Sequence, residues 1–274
     1  MRRSGGSRRD PIEKVEEEIK TDETKTDESK GAAKEEVKEV PIASLACPLT
    51  GDDGPKEVAA PPRMGKIWCW NVNGVRSVLK GGSLVKFLNE VKPDILCLNE
   101  TKIDGEALVK EGVKGKLSEW FPPSLQFWNC CKVKKGYSGT AILVSKDFVG
   151  GVPTKVEYDF GAEGLHDQEG RTVTCYFKDF ILVASYVPNS GVVGLQRLDY
   201  RVNQWDRDFQ HFLKEELEVG ENKPVVLCGD LNVAHKPIDI YDKTKTKQAG
   251  FTPQERNSFD AFLTASGFID TYRL

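Results

Sequence analysis

Residues 224–234, PVVLCGDLNVA, oblige the fold to bury a strand and then finish it on polar side chains. Four apolar residues after a proline read as a fully buried strand, and Gly229 allows a sharp backbone turn at its end. Asp230 and Asn232 are two apart, so in extended chain both point to the same side. The carboxylate can take a proton or hold a metal, and the amide can donate to a developing oxyanion. A charged strand end followed by an Asn-type turn is the plainer alternative from this window alone. The other strand ends decide between the two.

From Lys66 onward the chain alternates short apolar strands with loops and helices. Residues 66–72 (KIWCWNV) read as a strand broken by the turn dipeptide Asn73-Gly74, and Leu84, Val85, Phe87, Leu88 and Val91 mark a helix stopped before Pro93. Residues 94–100 (DILCLNE) and 138–146 (SGTAILVSK) are expected strands. The run from Arg171 to Asn189 reads as a hairpin turning at Lys178-Asp179. Leu195, Leu198, Val202, Trp205, Phe209, Phe212, Leu213 and Leu217 recur at helical spacing and predict one long amphipathic helix with a core-facing aromatic stripe. Thr252, Pro253 and Glu255 form a capping box that opens a helix running to Gly267. Phe268 to Leu274 read as the start of another strand or loop. Strands joined by both hairpins and helices predict an α/β fold of two mixed sheets packed face to face with flanking helices.

Composition divides the chain. Residues 1–63 hold 12 Lys+Arg and 15 Asp+Glu, whereas the remainder is balanced at 27 of each. Such density of both signs with few large apolar residues cannot offset its ordering entropy, so residues 1–63 are expected to be a disordered charged arm. Met1 to Asp10 carry paired arginines with no apolar run after them, which is neither a secretory signal nor a membrane anchor. The basic cluster is compatible with import into the nucleus or with nucleic-acid contact. No cysteine pair has zinc-ligand spacing, and Cys69, Cys97, Cys175 and Cys228 fall inside apolar runs as small buried hydrophobes. Lys132, Lys134 and Lys135 beside Tyr137 form a candidate nucleic-acid patch, or a solvated loop.

Three strand ends carry the same polar cargo: Asn71 and Asn73, then Glu100, then Asp230 and Asn232. Carboxylates and carboxamides gathered at one edge, with no matching Lys or Arg inside the same motifs, suit a hard divalent cation such as Mg²⁺, whose other positions go to water and substrate phosphate. Tyr186 and Asn189, leaving a fourth strand, add donors suited to phosphate oxygens.

The residues then show a family resemblance. WNVNGVR (70–76), DILCLNETK (94–102), KGYSGTAIL (135–143), HDQEGR (166–171), YVPN (186–189), CGDLNVAH (228–235) and AGFTPQER (249–256) resemble, in order, the motifs of apurinic/apyrimidinic (AP) endonucleases of the exonuclease III type. GDLN alone fits the wider endonuclease/exonuclease/phosphatase superfamily. The resemblance implies a four-layered α/β sandwich over residues 64–274 and Mg²⁺-dependent cleavage, with Mn²⁺ as a substitute, of double-stranded DNA on the 5′ side of an abasic site. It implies a monomeric base-excision-repair enzyme of the nucleus, with the cytoplasm or an organelle as the alternative address, and with 3′–5′ exonuclease or 3′-phosphodiesterase activity as an accompaniment.

By motif match, Glu100 is the main metal ligand, aided by Asn73, Asp230 and Asn232. Asp230 activates the attacking water or assists the metal, Asn232 stabilises the pentacovalent transition state, Tyr186 orients the phosphate or acts as an acid, and Asn71 and Asn189 contact substrate. Asn73 stands where eukaryotic members usually carry Asp and bacterial exonuclease III-like members carry Asn. The family pattern continues beyond position 274 through a further Asp and a Ser-Asp-His motif, so the resemblance implies a domain lacking its last strands, with unpaired sheet edges. A truncated inactive or DNA-binding derivative, or an incomplete gene model of an active enzyme, is the alternative function.

Overall fold

In a computed structural model the structure describes residues 65–162, 165–191 and 193–273. The expected arm, residues 1–63, and the last residue, Leu274, lie outside the described residues.

Eight strands form two four-stranded sheets. β1 (Ile67–Asn71), β2 (Ile95–Asn99), β3 (Gln126–Asn129) and β4 (Thr140–Val144) make the first, in the order β1-β2-β4-β3. β5 (Lys155–Tyr158), β6 (Thr172–Tyr176), β7 (Ile181–Tyr186) and β8 (Val225–Asp230) make the second, in chain order. Each sheet is mixed, and each has one parallel pair at an edge: β1 with β2, and β7 with β8. The helices are α1 (Val75–Lys80), α2 (Ser83–Val91), α3 (Gly105–Lys110), α4 (Val113–Lys116), α5 (residues 200–219) and α6 (Pro253–Ser266). In α5, α-helical Arg207–His211 lies between π-helical Tyr200–Asp206 and Phe212–Val219. This is the expected two-sheet α/β sandwich, and the expected helix boundaries hold closely at α2 and α6.

Strand periodicity sorts the core into three layers. On β2, Leu96 and Leu98 pack toward the helices, against Leu84, Leu88 and Phe121, while Ile95 and Cys97 face the second sheet. On β7 the roles mirror: Ile181 and Val183 meet Trp205, Phe209 and Leu213 of α5, while Leu182 and Ala184 face inward. Both faces of these central strands are covered, so they read as unbroken apolar runs. Each Leu or Ile removed from water here contributes about 1.5–3 kcal/mol.

α6 begins as the sequence predicts. Thr252 Oγ1 accepts the Glu255 N–H at 3.2 Å and Glu255 Oε2 accepts the Thr252 N–H at 3.0 Å. Gly267, in left-handed conformation at φ 73°, ends it. Among the described residues no helix is long and apolar enough to cross a membrane.

Two expectations are corrected. Gly229 does not turn the chain: the strand continues through Asp230, and the turn comes at Asn232, φ 47°. Gly229 is needed instead because its register partner Ser185 leaves no room; a Cβ there would lie 1.8 Å from the Ser185 carbonyl oxygen. Cys69 is exposed and Cys228 only half-buried, because β1 and β8 are edge strands; Cys97 and Cys175 are buried as expected.

Candidate active site

The inward row of each strand in the two parallel pairs ends on a polar side chain. Ile67 and Cys69 lead to Asn71, Ile95 and Cys97 to Asn99, Leu182 and Ala184 to Tyr186, and Cys228 to Asp230. Asn71 and Asn99 are register partners, as are Tyr186 and Asp230. The carboxyl ends of two parallel pairs, one from each sheet, therefore meet at one end of the layer between the sheets.

There they join. Asn71 Nδ2 donates to Glu100 Oε1 at 2.9 Å and to Asp230 Oδ2 at 2.8 Å, and the Tyr186 hydroxyl donates to the same Glu100 oxygen at 3.0 Å. Glu100 lies one residue beyond β2, and its left-handed backbone, φ 51°, lets the side chain join this row although its strand neighbour Asn99 already faces inward.

In the opening segment Asp230 both closes a turn and joins the polar cluster. Asp230 Oδ1 accepts the Asn232 N–H at 3.1 Å, an Asx-type turn, while Oδ2 meets Asn71. β1 ends the same way, with Asn71 Oδ1 accepting the Asn73 N–H at 3.0 Å and Asn73 at φ 46°. Asn189 Nδ2 donates to Asn232 Oδ1 at 3.1 Å, and Asn232 Nδ2 donates to the Val187 carbonyl at 2.8 Å. Each amide nitrogen has two hydrogens, so each keeps one N–H for a ligand.

The structure brings Asn71, Glu100, Tyr186 and Asp230 into one hydrogen-bonded set, with Asn189 and Asn232 attached through Asp230. Asn73 is attached through Lys102. The expectation that no cation opposes these groups is corrected: Lys102 Nζ lies 2.7 Å from Glu100 Oε2 and also donates to Asn73 Oδ1. Burial raises the Glu100 carboxyl, but hydrogen bonds from Lys102, Asn71 and Tyr186 outweigh it and hold the group below its ordinary value. Burial first, then the Glu100 charge, pushes the Tyr186 phenol well above its ordinary value, so it is a neutral donor at physiological pH.

Three supporting residues escaped sequence reading. Asn99, fully buried, uses Oδ1 to accept the Asp230 N–H at 3.0 Å and the Cys69 thiol at 3.2 Å, leaving Nδ2 without a partner. Its cue was a polar residue closing an apolar strand. Arg171, 1% exposed, donates to the Tyr186 carbonyl at 2.9 Å and places its guanidinium 4.7 Å from the Tyr186 ring centre, a cation–π support. Lys102 is the third. In the candidate nucleic-acid patch, Lys134 Nζ stands 5.2 Å from the Tyr137 ring centre, while Lys132 and Lys135 pair with Asp167 and Glu106.

Among the described residues no three His, Cys, Asp or Glu side chains are grouped to hold a metal. The donors present are two carboxylates and several amide oxygens, which suit a hard ion that keeps water and substrate oxygens, and not zinc.

The model of the endonuclease/exonuclease/phosphatase family matches residues 69–273. The chain belongs to that family. It is 38% identical over 232 residues to a DNA-(apurinic or apyrimidinic site) endonuclease of Dictyostelium discoideum, covering 84% of this chain and 58% of that protein. It is 42% identical to an exodeoxyribonuclease of Bacillus subtilis, over 76% of this chain and 74% of the other. Among solved structures, an AP endonuclease from Leishmania major superposes with a TM-score of 0.63 at 30% identity, covering 78% of this chain and 70% of that one. The shared fold is the two-sheet sandwich described above.

Proposed function

We propose that this chain is a Mg²⁺-dependent DNA repair hydrolase that cleaves the phosphodiester bond on the 5′ side of an abasic site in double-stranded DNA. The observation that carries the reading is the single Asn71 nitrogen shared by Glu100 and Asp230, with Tyr186 on the same Glu100 oxygen. Glu100, Asp230, Asn73 and Asn232 are the residues that would hold the ion. Bound there, Mg²⁺ would neutralise charge on a phosphoryl oxygen and lower the pKa of a bound water.

The chain's own groups divide the remaining work. Asp230, fixed by Asn71, Asn99 and the Asn232 N–H, accepts the proton of the attacking water. The spare N–H groups of Asn189 and Asn232 donate to a non-bridging oxygen as charge grows on it. Tyr186, protonated, orients the phosphate or gives a proton to the leaving oxygen. An abasic sugar has no base to unstack, so drawing it out of the duplex costs less than flipping an intact nucleotide.

The similarity to an AP endonuclease and to an exodeoxyribonuclease supports both an endonucleolytic and an exonucleolytic activity. Arg2, Arg3, Arg8 and Arg9 support a nuclear address. The test is nicking of a duplex with one abasic site, with Mg²⁺ and with excess EDTA, by the wild type and by Glu100→Ala. Loss of nicking in both controls is expected. Full activity in EDTA would reject the metal assignment.

A further inference from the structure

We infer that Lys102 is a tethered cation that fills the divalent-ion position between Glu100 and Asn73 and has to swing out before an ion enters. This rests on the metal-site reading above. Glu100 Oε1 is already occupied by the Asn71 amide and the Tyr186 hydroxyl, so the oxygen left for an ion is Oε2. That oxygen and Asn73 Oδ1, the two acceptors on this side of the site, converge on one ammonium.

The placement is built into the backbone. The Lys102 N–H donates to the Ser138 carbonyl at 2.9 Å, and the Thr101 N–H to the Gly139 carbonyl at 3.0 Å. The Glu100 and Thr101 carbonyls accept from Gly74 and Val75 at 2.7 and 2.9 Å, and the Lys102 carbonyl accepts from Arg76 at 3.2 Å. Gly139 comes so close that a Cβ on it would sit 2.3 Å from Thr101 Oγ1. Held at both ends, and with Lys102 itself left-handed at φ 50°, the segment directs its one cationic side chain back over the carboxylate.

A divalent ion on the same two oxygens would stand within a few ångströms of the ammonium, and like charges that close repel strongly at a half-buried site. The two cannot share the position. The lysine stem has four rotatable carbons and one third of the side chain is exposed, so the head has a route to solvent or to a phosphate oxygen arriving with substrate. Asn73 sharpens the competition, since a neutral amide gives a divalent ion less advantage over a monovalent one than a carboxylate would.

The test is Mn²⁺ binding to the DNA-free full chain, read by the electron paramagnetic resonance signal of free Mn²⁺, for wild type, Lys102→Met, Lys102→Gln and Glu100→Gln, each checked for native circular dichroism. Removing the ammonium is expected to tighten Mn²⁺ binding about tenfold, which corresponds to about 1.4 kcal/mol. Glu100→Gln is expected to weaken it. In the unmutated protein the Lys102 ammonium resonance should move on Mg²⁺ addition, a readout that survives if both Lys102 variants misfold. Unchanged or weaker binding in a folded Lys102 variant, or an ammonium resonance that stays fixed while Mg²⁺ binds, overturns the inference and leaves the metal reading intact. Unaltered binding in Glu100→Gln overturns the metal reading itself.

Discussion

Asn99 on the first sheet holds the backbone N–H of Asp230 on the second at 3.0 Å, across 131 residues of sequence. It is a direct hydrogen bond between the two sheets at the floor of the site, and it fixes where the proposed base stands. Asn99→Ala strands a part-buried N–H, which costs up to about 1–3 kcal/mol. Displacing Asp230 by an ångström should lower single-turnover nicking about a hundredfold. Urea unfolding and single-turnover kinetics on one abasic duplex check both effects; a variant that loses stability but keeps its rate would detach Asn99 from Asp230 function.

Asn232 spends one N–H on the Val187 carbonyl, which orients the other. If that second N–H meets charge that grows only during the reaction, Asn232→Ala should lower kcat about 10²–10³-fold with little change in KM. A rise in KM alone would instead make it a ground-state binding group.

Glu169 Oε2 receives both Arg171 Nε at 2.6 Å and Arg197 Nη2 at 3.1 Å. Burial raises this carboxyl, but the two guanidinium groups, Arg171 foremost, hold it below its ordinary value. A carboxyl depressed in the folded state adds stability above its unfolded value of about 4.3 and loses it as pH falls through the folded one. Glu169→Gln should therefore be less stable than wild type by about 1–3 kcal/mol at pH 7, with the gap closing below about pH 4. Urea midpoints at pH 7, 5 and 3.5 measure it, and a gap independent of pH would assign the loss to packing.

Gly229→Ala should prevent soluble folding or cost more than about 3 kcal/mol, because its Cβ would meet the Ser185 backbone and its φ is 153°. Thermal unfolding of any soluble fraction decides; a midpoint within a few degrees of wild type would mean that β7 and β8 can separate freely.

Much of this was legible because the signals were local. The capping box of α6 and the polar closures of β1, β2 and β8 each sit within a few residues of sequence, and the stripe of α5 repeats turn by turn, although its expected first member, Leu195, lies in a left-handed turn before the helix, φ 52°. β3 and β5 went unread for the same reason: Gln126–Asn129 is short, and Lys155–Tyr158 is an edge strand with charged residues and no apolar run. α3 and α4 were hidden by Gly105, Gly112 and Gly115, which interrupt helical periodicity. Asn99 and Lys102 were missed because their roles depend on distant partners and on left-handed backbone at Glu100 and Lys102, residue types that rarely adopt it.

The Asn71 bridge to Asp230 spans 159 residues, and the Tyr186 bond to Glu100 spans 86. No single hairpin or sheet contains enough of the cluster to react, and contacts this remote close slowly. On refolding, helical signal should recover before any catalysis does, so regained nicking is a clock for the docking of one sheet upon the other.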